Sequence, residues 1–183
     1  METEKKLREI PLENETIFTG NIFTVSRMQV RLPNGNTSVR DIVHHNGGAC
    51  IVPVDGEGNL ILVRQHRISV SRLLLEIPAG KLDSPTEDPF AAAKRELEEE
   101  TGLRAEKLEL LTVALPTPGY CTERLHIYLA TGLSQHEAHP DPDEFLQVEK
   151  LPLETAVSMI MAGEITDAKT IIGVLMAREK LRS

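Results

Sequence analysis

Short apolar runs separated by turn residues dominate the first half of the chain. Four of these runs predict two β-hairpins, residues 25–32 with 39–43 and residues 49–54 with 60–63. Both intervening segments are rich in Gly, Asn and Asp, the residues that tight turns require. Four further runs also predict strands: residues 73–77, 108–115, 126–130 and 145–151.

The pattern becomes helical after residue 88. Asp88 suits the N-cap, Pro89 suits the first helical position, and Gly102 suits the left-handed position after the last turn. Two more helices are predicted at residues 153–162 and 167–181. Strands mixed with one central and two terminal helices predict a layered α/β (α+β) domain, not a helix bundle or a β-sandwich.

Composition excludes several classes of protein. The chain has 183 residues, the length of one domain with a small appendage, and 28 acidic residues outnumber 20 basic ones, which argues against nucleic-acid binding. No apolar run approaches the ~18 residues that a membrane helix needs, and no signal peptide is legible, so we expect no membrane association and a cytoplasmic location. Cys50 and Cys121 are expected to be free, as small apolar side chains.

The negative charge is concentrated between residues 83 and 100, which hold seven carboxylates and only two basic side chains. On a helix, Glu96, Glu99 and Glu100 fall within an arc of about 100° beside the apolar stripe. Carboxylates near a helix C-terminus cost about 0.3–1 kcal/mol each, so a cation is expected in place of a merely solvated acidic face. We expect Arg95 to neutralise at most one of them. The surplus predicts a hard divalent cation, Mg²⁺ or Mn²⁺.

Residues of this helix and of the preceding loop resemble the signature of the Nudix hydrolases, Gly-x5-Glu-x7-Arg-Glu-U-x-Glu-Glu-x-Gly-U, where U is aliphatic. The matching residues are Gly80, Glu87 and Arg95-Glu96-Leu97-Glu98-Glu99-Glu100-Thr101-Gly102-Leu103. Six residues separate the first two where the signature has five, an insertion that a loop can absorb. The resemblance implies an α/β/α sandwich with a mixed sheet, and metal-dependent attack of water on a diphosphate linked to a nucleoside.

The same resemblance implies roles for individual residues. Glu96, Glu99 and Glu100 would be metal ligands, Arg95 would orient them, and Glu87 would be an accessory acid. In one branch of the family, the backbone carbonyl at the position of Ala79 is a further metal ligand. The general base stays open among four carboxylates: Glu99, Glu123, Asp143 and Glu144.

Nearly the whole chain resembles the ADP-ribose pyrophosphatase branch of that family. The resemblance is carried by residues 62–67, residues 76–81, Pro118-Gly119-Tyr120 and Asp167-Ala168-Lys169-Thr170. It implies that substrate is contacted by side chains and backbone at Arg40, Arg64, Arg67, Glu76, Gly80 and Pro118. Because aromatic residues are scarce, a base-stacking partner would come from Phe18, Phe23, Tyr120 or aliphatic side chains. Core packing is the alternative for both Phe residues.

The leading hypothesis is therefore a Mg²⁺-dependent pyrophosphatase that cleaves ADP-ribose to AMP and ribose 5-phosphate. One alternative is the same chemistry on other nucleoside diphosphate sugars, such as GDP-mannose, and another is a catalytically silent ADP-ribose-binding domain. Sanitisation of oxidised nucleoside triphosphates is disfavoured, because it would leave the branch features unexplained. We expect a hydrolase domain at residues 46–183. Strands in residues 1–45 are expected to mediate a homodimer, with a cap on their own domain as the alternative.

Overall fold

The computed structural model describes residues 2–138 and 145–182. These residues form two compact units, one built from residues 2–46 and 117–123 and the other from residues 47–116 and those from 124 onward. Of the described helices, none combines the length and apolar character needed to span a membrane. Cys50 and Cys121 are both free, as expected, although only Cys50 is fully buried.

The first unit is an antiparallel sheet preceded by a short helix. Its elements are α1 (Glu2–Leu7), β1 (Ile10–Thr19), β2 (Phe23–Arg31) and β3 (Thr37–His45), with strand order β1-β2-β3. The predicted hairpin of β2 and β3 is confirmed, and Gly35 in its turn has a φ of 87°. Strand β1 was not predicted as a separate element, because polar residues interrupt its apolar pattern and all ten of its residues are exposed.

The second unit contains two sheets and three helices. Its elements are β4 (Gly48–Pro53), β5 (Asn59–Arg67), β6 (Arg72–Glu76), β7 (Ala79–Lys81), α2 (Pro89–Thr101), β8 (Leu103–Ala114), β9 (Leu125–Gln135), β10 (Leu146–Pro152), α3 (Leu153–Met161) and α4 (Ala168–Arg182). One sheet has the order β7-β4-β9-β8 and is mixed, because β4 and β9 run parallel. The other sheet, β10-β5-β6, is antiparallel. The predicted hairpin of residues 49–54 with 60–63 is therefore wrong: the two strands lie in different sheets and are joined by an isolated bridge between Val54 and Leu60.

Alternation along β4 builds the layers on either side of the mixed sheet. Ile51 faces α2 and belongs to a buried cluster with Leu97. Val52, the next residue, points to the opposite face, where the buried cluster includes Val157 of α3 and Val174 of α4. Helices therefore cover both faces of the sheet, which confirms the predicted α/β/α arrangement with a mixed sheet.

Helix α2 begins and ends as its sequence predicts. The Asp88 carboxylate accepts a hydrogen bond from the backbone N–H of Phe90 at 3.1 Å, and Pro89 opens the helix. Gly102 has a φ of 68°, and its N–H donates to the carbonyl of Glu98 at 2.8 Å. Strand β8 starts directly after this cap, earlier than its apolar run suggested. The cap therefore fixes where the acidic turns of α2 lie relative to the sheet.

Candidate active site

The carboxylate of Glu96 lies against the backbone of Gly80. Glu96 projects from α2 and is only 7% exposed. Gly80 lies on β7, and a Cβ added there would be 1.9 Å from Glu96 Oε1. The position does not need a positive φ. Glycine is required at Gly80 because of this close approach and not because of its own backbone conformation.

Glu100 reaches the same part of β7 from the next turn of α2. It is 2% exposed, and its Oε2 accepts a hydrogen bond from the backbone N–H of Ala79 at 3.1 Å. Two buried carboxylates of one helix thus contact two consecutive residues of one strand. The third carboxylate of the predicted set, Glu99, is about one-third exposed at the side-chain level.

Arg95 lies between two of these carboxylates. Its Nη1 is 2.7 Å from Glu96 Oε1 and 2.9 Å from Glu99 Oε2, and its Nη2 is 3.5 Å from Glu87 Oε1. Arg95 thus contacts both neighbours, but its single positive charge can balance only one of the two carboxylates, so the predicted surplus of negative charge remains. Burial alone would lower the pKa of Arg95, but Glu96 and Glu99 outweigh it and raise that pKa above its ordinary value.

The donor chemistry of this cluster fits a hard divalent cation. Carboxylate oxygens of Glu96, Glu99 and Glu100, together with the carbonyl of Ala79, are the ligand types that Mg²⁺ prefers. As the side chains are arranged here, no three His, Cys, Asp or Glu residues within 2–138 and 145–182 form a ready-made metal cage. In this arrangement, Arg95 supplies the positive charge beside the carboxylates of Glu96 and Glu99. The role of these residues as metal ligands therefore stays a prediction.

Glu76 is a third buried carboxylate, at the end of β6. It is 1% exposed and accepts hydrogen bonds from Arg67 Nε at 2.8 Å and Nη2 at 2.7 Å, and from Lys169 Nζ. Burial would raise the pKa of Glu76, but Arg67 and Lys169 outweigh it, so that pKa lies below its ordinary value. The side chain of Arg67 is 40% exposed and remains open on one side to a ligand.

Arg64 and Arg67 are three residues apart on β5 and therefore point to opposite faces of the strand. Arg64 forms a two-pronged ion pair with Glu149 of β10, in which Nη2 and Oε2 are 3.1 Å apart. The structure consequently separates two of the arginines that the sequence grouped as substrate contacts. The partner Glu149 was missed, because the register of β10 against β5 cannot be read from the apolar pattern.

The remaining predicted ligand contacts belong to the first unit. Arg40 pairs with Glu9, with Nη2 and Oε1 2.5 Å apart. The ring centroids of Phe18 and Phe23 are 6.0 Å apart, and these side chains are 52% and 41% exposed, respectively. Tyr120 is exposed as well. None of these three aromatic side chains is buried in the core of the unit. The alternative that Phe18 and Phe23 are core residues is therefore wrong.

Only two of the four candidates for the general base, Glu99 and Glu123, lie within the described residues. Glu123 Oε1 lies 3.6 Å from His45 Nδ1 in the first unit, whose 117–123 segment also contains Pro118. Glu99 lies on α2. Asp143 and Glu144 lie outside the described residues. The choice of general base therefore stays open.

Comparison with known proteins assigns the family. The NUDIX domain model matches residues 44–172, which is more than half of the chain, so the protein belongs to the NUDIX family. The chain is 40% identical over 182 residues to the methanol dehydrogenase activator of Bacillus methanolicus, covering 97% of this chain and 98% of that protein. It is 39% identical over 183 residues to the ADP-ribose pyrophosphatase of Bacillus subtilis (strain 168), covering 98% of each.

A solved structure agrees with this assignment. A crystal structure described as that of an ADP compounds hydrolase superposes with a TM-score of 0.84 at 26% sequence identity, over 96% of each chain. The predicted family and fold class are confirmed by these matches. The motif residues thus occupy a fold that is shared with enzymes of the family.

Gly80→Ala tests the contact between Glu96 and β7. The added methyl must displace the Glu96 carboxylate, so we expect at least a tenfold loss of kcat for hydrolysis of a diphosphate substrate. Because the end of the Glu96 side chain is flexible and can move, we expect Tm to change by only a few degrees. Steady-state kinetics and thermal unfolding measure the two effects. Gly56→Ala is the control, because nothing lies within 4 Å of a Cβ added there. Unchanged kcat in Gly80→Ala would show that this close approach has no functional role.

Glu76→Gln tests the buried ion pairs of Arg67 and Lys169. Loss of the charge leaves both cations without their buried counter-ion, so at pH 7 we expect the free energy of unfolding to fall by about 3 kcal/mol. The folded-state pKa of Glu76 is lowered, so its stabilisation is present above its ordinary pKa and is lost as the pH falls below about 5. Urea titrations between pH 7 and pH 3.5 should show the gap between the two proteins narrowing in acid. A constant gap would refute this assignment of charge.

Proposed function

We propose that this protein is a Mg²⁺-dependent pyrophosphatase that hydrolyses ADP-ribose to AMP and ribose 5-phosphate. The observation that carries the proposal is the placement of buried Glu96 and Glu100 against Gly80 and Ala79. The 39% identity to an ADP-ribose pyrophosphatase over 183 residues supports the choice of substrate. In the reaction, a water oxygen bonds to one phosphorus, the anhydride P–O bond breaks, and the other phosphate leaves.

The chain's own residues would divide the work in the following way. Glu96, Glu99, Glu100 and the Ala79 carbonyl would hold Mg²⁺. A bound Mg²⁺ neutralises charge on phosphoryl oxygens and lowers the pKa of a coordinated water. Arg95 orients Glu96 and Glu99 through the ion pairs described above. Removal of the water proton falls to one of the candidate general bases.

Arg67 is the best-placed cation of the second unit for the substrate diphosphate. Glu76 holds its Nε and Nη2, which fixes the plane of the guanidinium. The pKa of Arg67 is raised by its hydrogen bonds to Glu76, with smaller contributions from Asp167 and Glu100. A rigid planar fork suits a phosphate better than a flexible ammonium does. Arg64, whose guanidinium is paired with Glu149, would have to exchange that partner for the substrate.

A substrate panel tests the proposal and its alternatives. ADP-ribose, GDP-mannose and UDP-glucose would be compared by kcat/KM with Mg²⁺, and the products identified by chromatography. We expect the highest kcat/KM for ADP-ribose, with AMP released. A preference for GDP-mannose would support the alternative substrate with the same chemistry. Turnover of none of the three, together with measurable ADP-ribose binding, would favour the catalytically silent binder.

Glu100→Gln tests the metal role within the proposed reaction. The variant keeps the shape of a buried side chain that contacts Ala79 but removes its charge, so we expect at least a hundredfold loss of kcat with an unchanged circular dichroism spectrum. EDTA should abolish activity in the parent protein, and Mg²⁺ should restore it. Glu154→Gln, on the exposed side of α3, is the matched control. Near-parental turnover by a folded Glu100→Gln would overturn the metal assignment.

The proposal includes a homodimer formed through the first unit. All ten residues of β1 are exposed, and four of them are large and apolar: Ile10, Leu12, Ile17 and Phe18. Apolar side chains that share an exposed strand are typical of an interaction surface. Light scattering should give twice the chain mass of 20.3 kDa. A monomeric mass at micromolar concentration would favour the cap alternative.

A further inference from the structure

Thr170 is a fully buried hydroxyl residue in the first turn of α4. Its exposed fraction is 0%. Its Oγ1 accepts a hydrogen bond from the backbone N–H of Ile77 at 2.9 Å and donates one to Asp167 Oδ2 at 2.6 Å. Residues 77 and 170 are far apart in sequence, so this hydroxyl joins the start of a helix to a distant loop.

Asp167 makes Thr170 rigid. Asp167 Oδ2 also accepts from the backbone N–H of Thr170 at 3.0 Å, the contact of a helix N-cap. The same oxygen lies 3.0 Å from Lys169 Nζ, and that ammonium also contacts Glu76. The Thr170 hydroxyl is therefore fixed by the cap of α4 and has no freedom to follow a shift of Ile77.

The loop that Thr170 holds leads directly into the candidate metal site. Ile77 is followed by Pro78 and then by Ala79. On the other side of this segment, the Ala79 N–H donates to Glu100 Oε2 at 3.1 Å. Two backbone N–H groups two residues apart are thus held by side chains of two different helices, α4 and α2. The rigid φ of Pro78 transmits the position of Ile77 to Ala79.

We propose that Thr170 is a positioning residue for the metal site. Through the backbone of Ile77, Thr170 sets the position of the Ala79 carbonyl. The inference rests on the proposed function, because it takes Ala79 as a metal ligand. Asp167 supports the same role by orienting the Thr170 hydroxyl. Thr170 contacts neither the candidate ligands nor the reacting atoms, so its effect is on metal affinity and not on the chemical step at saturating metal.

A hydroxyl is required at this position because the Ile77 N–H is buried with it. Val has nearly the same shape as Thr but cannot accept a hydrogen bond, so Thr170→Val leaves that N–H without its acceptor. The segment then shifts toward another acceptor or toward water. Thr170→Ser keeps the hydroxyl and loses only a methyl group, so it should restore the parental geometry.

The test compares Mn²⁺ binding by the full chain, measured from the electron paramagnetic resonance signal of free Mn²⁺, in the absence of substrate. We expect Thr170→Val to bind Mn²⁺ at least fivefold more weakly than the parent, and Thr170→Ser to bind within twofold. The Mg²⁺ concentration for half-maximal hydrolysis should rise by a similar factor in Thr170→Val, with kcat at saturating Mg²⁺ changed less than threefold.

Val174→Ala separates positioning from loss of stability. Val174 is fully buried one turn further along α4, and its truncation leaves a cavity without touching the Ile77 hydrogen bond. We expect it to lower Tm but leave Mn²⁺ affinity unchanged. If Thr170→Val does not fold, Asp167→Asn weakens the same network more gently and should still reduce Mn²⁺ affinity in a folded protein.

The outcomes distinguish this inference from the proposed function. Parental Mn²⁺ affinity in folded Thr170→Val or Asp167→Asn would overturn the positioning role while leaving the hydrolase proposal intact. Equal losses of affinity in Thr170→Val and Val174→Ala would also overturn it, because the effect would then follow from stability alone. Failure of the parent to bind Mn²⁺ would overturn both. Weaker Mn²⁺ binding by Thr170→Val than by the parent, with no hydrolysis of ADP-ribose by the parent, would contradict only the choice of substrate.

Discussion

Repulsion among the carboxylates of helix α2 has to be balanced by nearby positive charge, and the site is built around that requirement. Glu96 and Glu100 are buried one turn apart, where each anion opposes the other and the helix dipole opposes both. Arg95 provides part of the balance by contacting Glu96 and Glu99. Backbone contacts with β7 hold the carboxylates in place, so the helix cannot relieve the strain by turning them into solvent.

Two helices on opposite faces of the mixed sheet act on one short segment of backbone. Glu100 of α2 binds the N–H of Ala79, and Thr170 of α4 binds the N–H of Ile77. The candidate metal site therefore depends on the sandwich architecture as well as on its own motif. Close to that segment, Glu76 of β6 forms ion pairs with Arg67 of β5 and with Lys169 of α4, so one buried anion lies between two cations.

Much of the architecture could be predicted from local pattern. Asp88, Pro89 and Gly102 mark the ends of α2 because capping depends on residues that are neighbours in sequence. The spacing of the motif likewise located the acidic side chains on one side of that helix. Strand β1 was missed, since its exposed residues lack the alternation that burial of one face produces.

Contacts between distant segments could not be predicted from the same pattern. The pairing of Arg64 with Glu149 depends on the register of two strands. The separation of Arg64 from Arg67 has a local cause instead, because β5 extends to Arg67, beyond the predicted run, and side chains alternate along it. The reach of Arg95 to two carboxylates depends on its rotamer. Asp167-Ala168-Lys169-Thr170 was recognised as a family segment, but only the packing of α4 against the loop reveals what Thr170 binds.

The central claim is that the acidic face of α2 and the backbone at the start of strand β7 bind a divalent cation. The most direct measurement is an anomalous difference map from crystals of the parent protein soaked in Mn²⁺. We expect a peak in contact with the carboxylates of Glu96 and Glu100 and with the Ala79 carbonyl. A map without a peak there at saturating Mn²⁺ would contradict it.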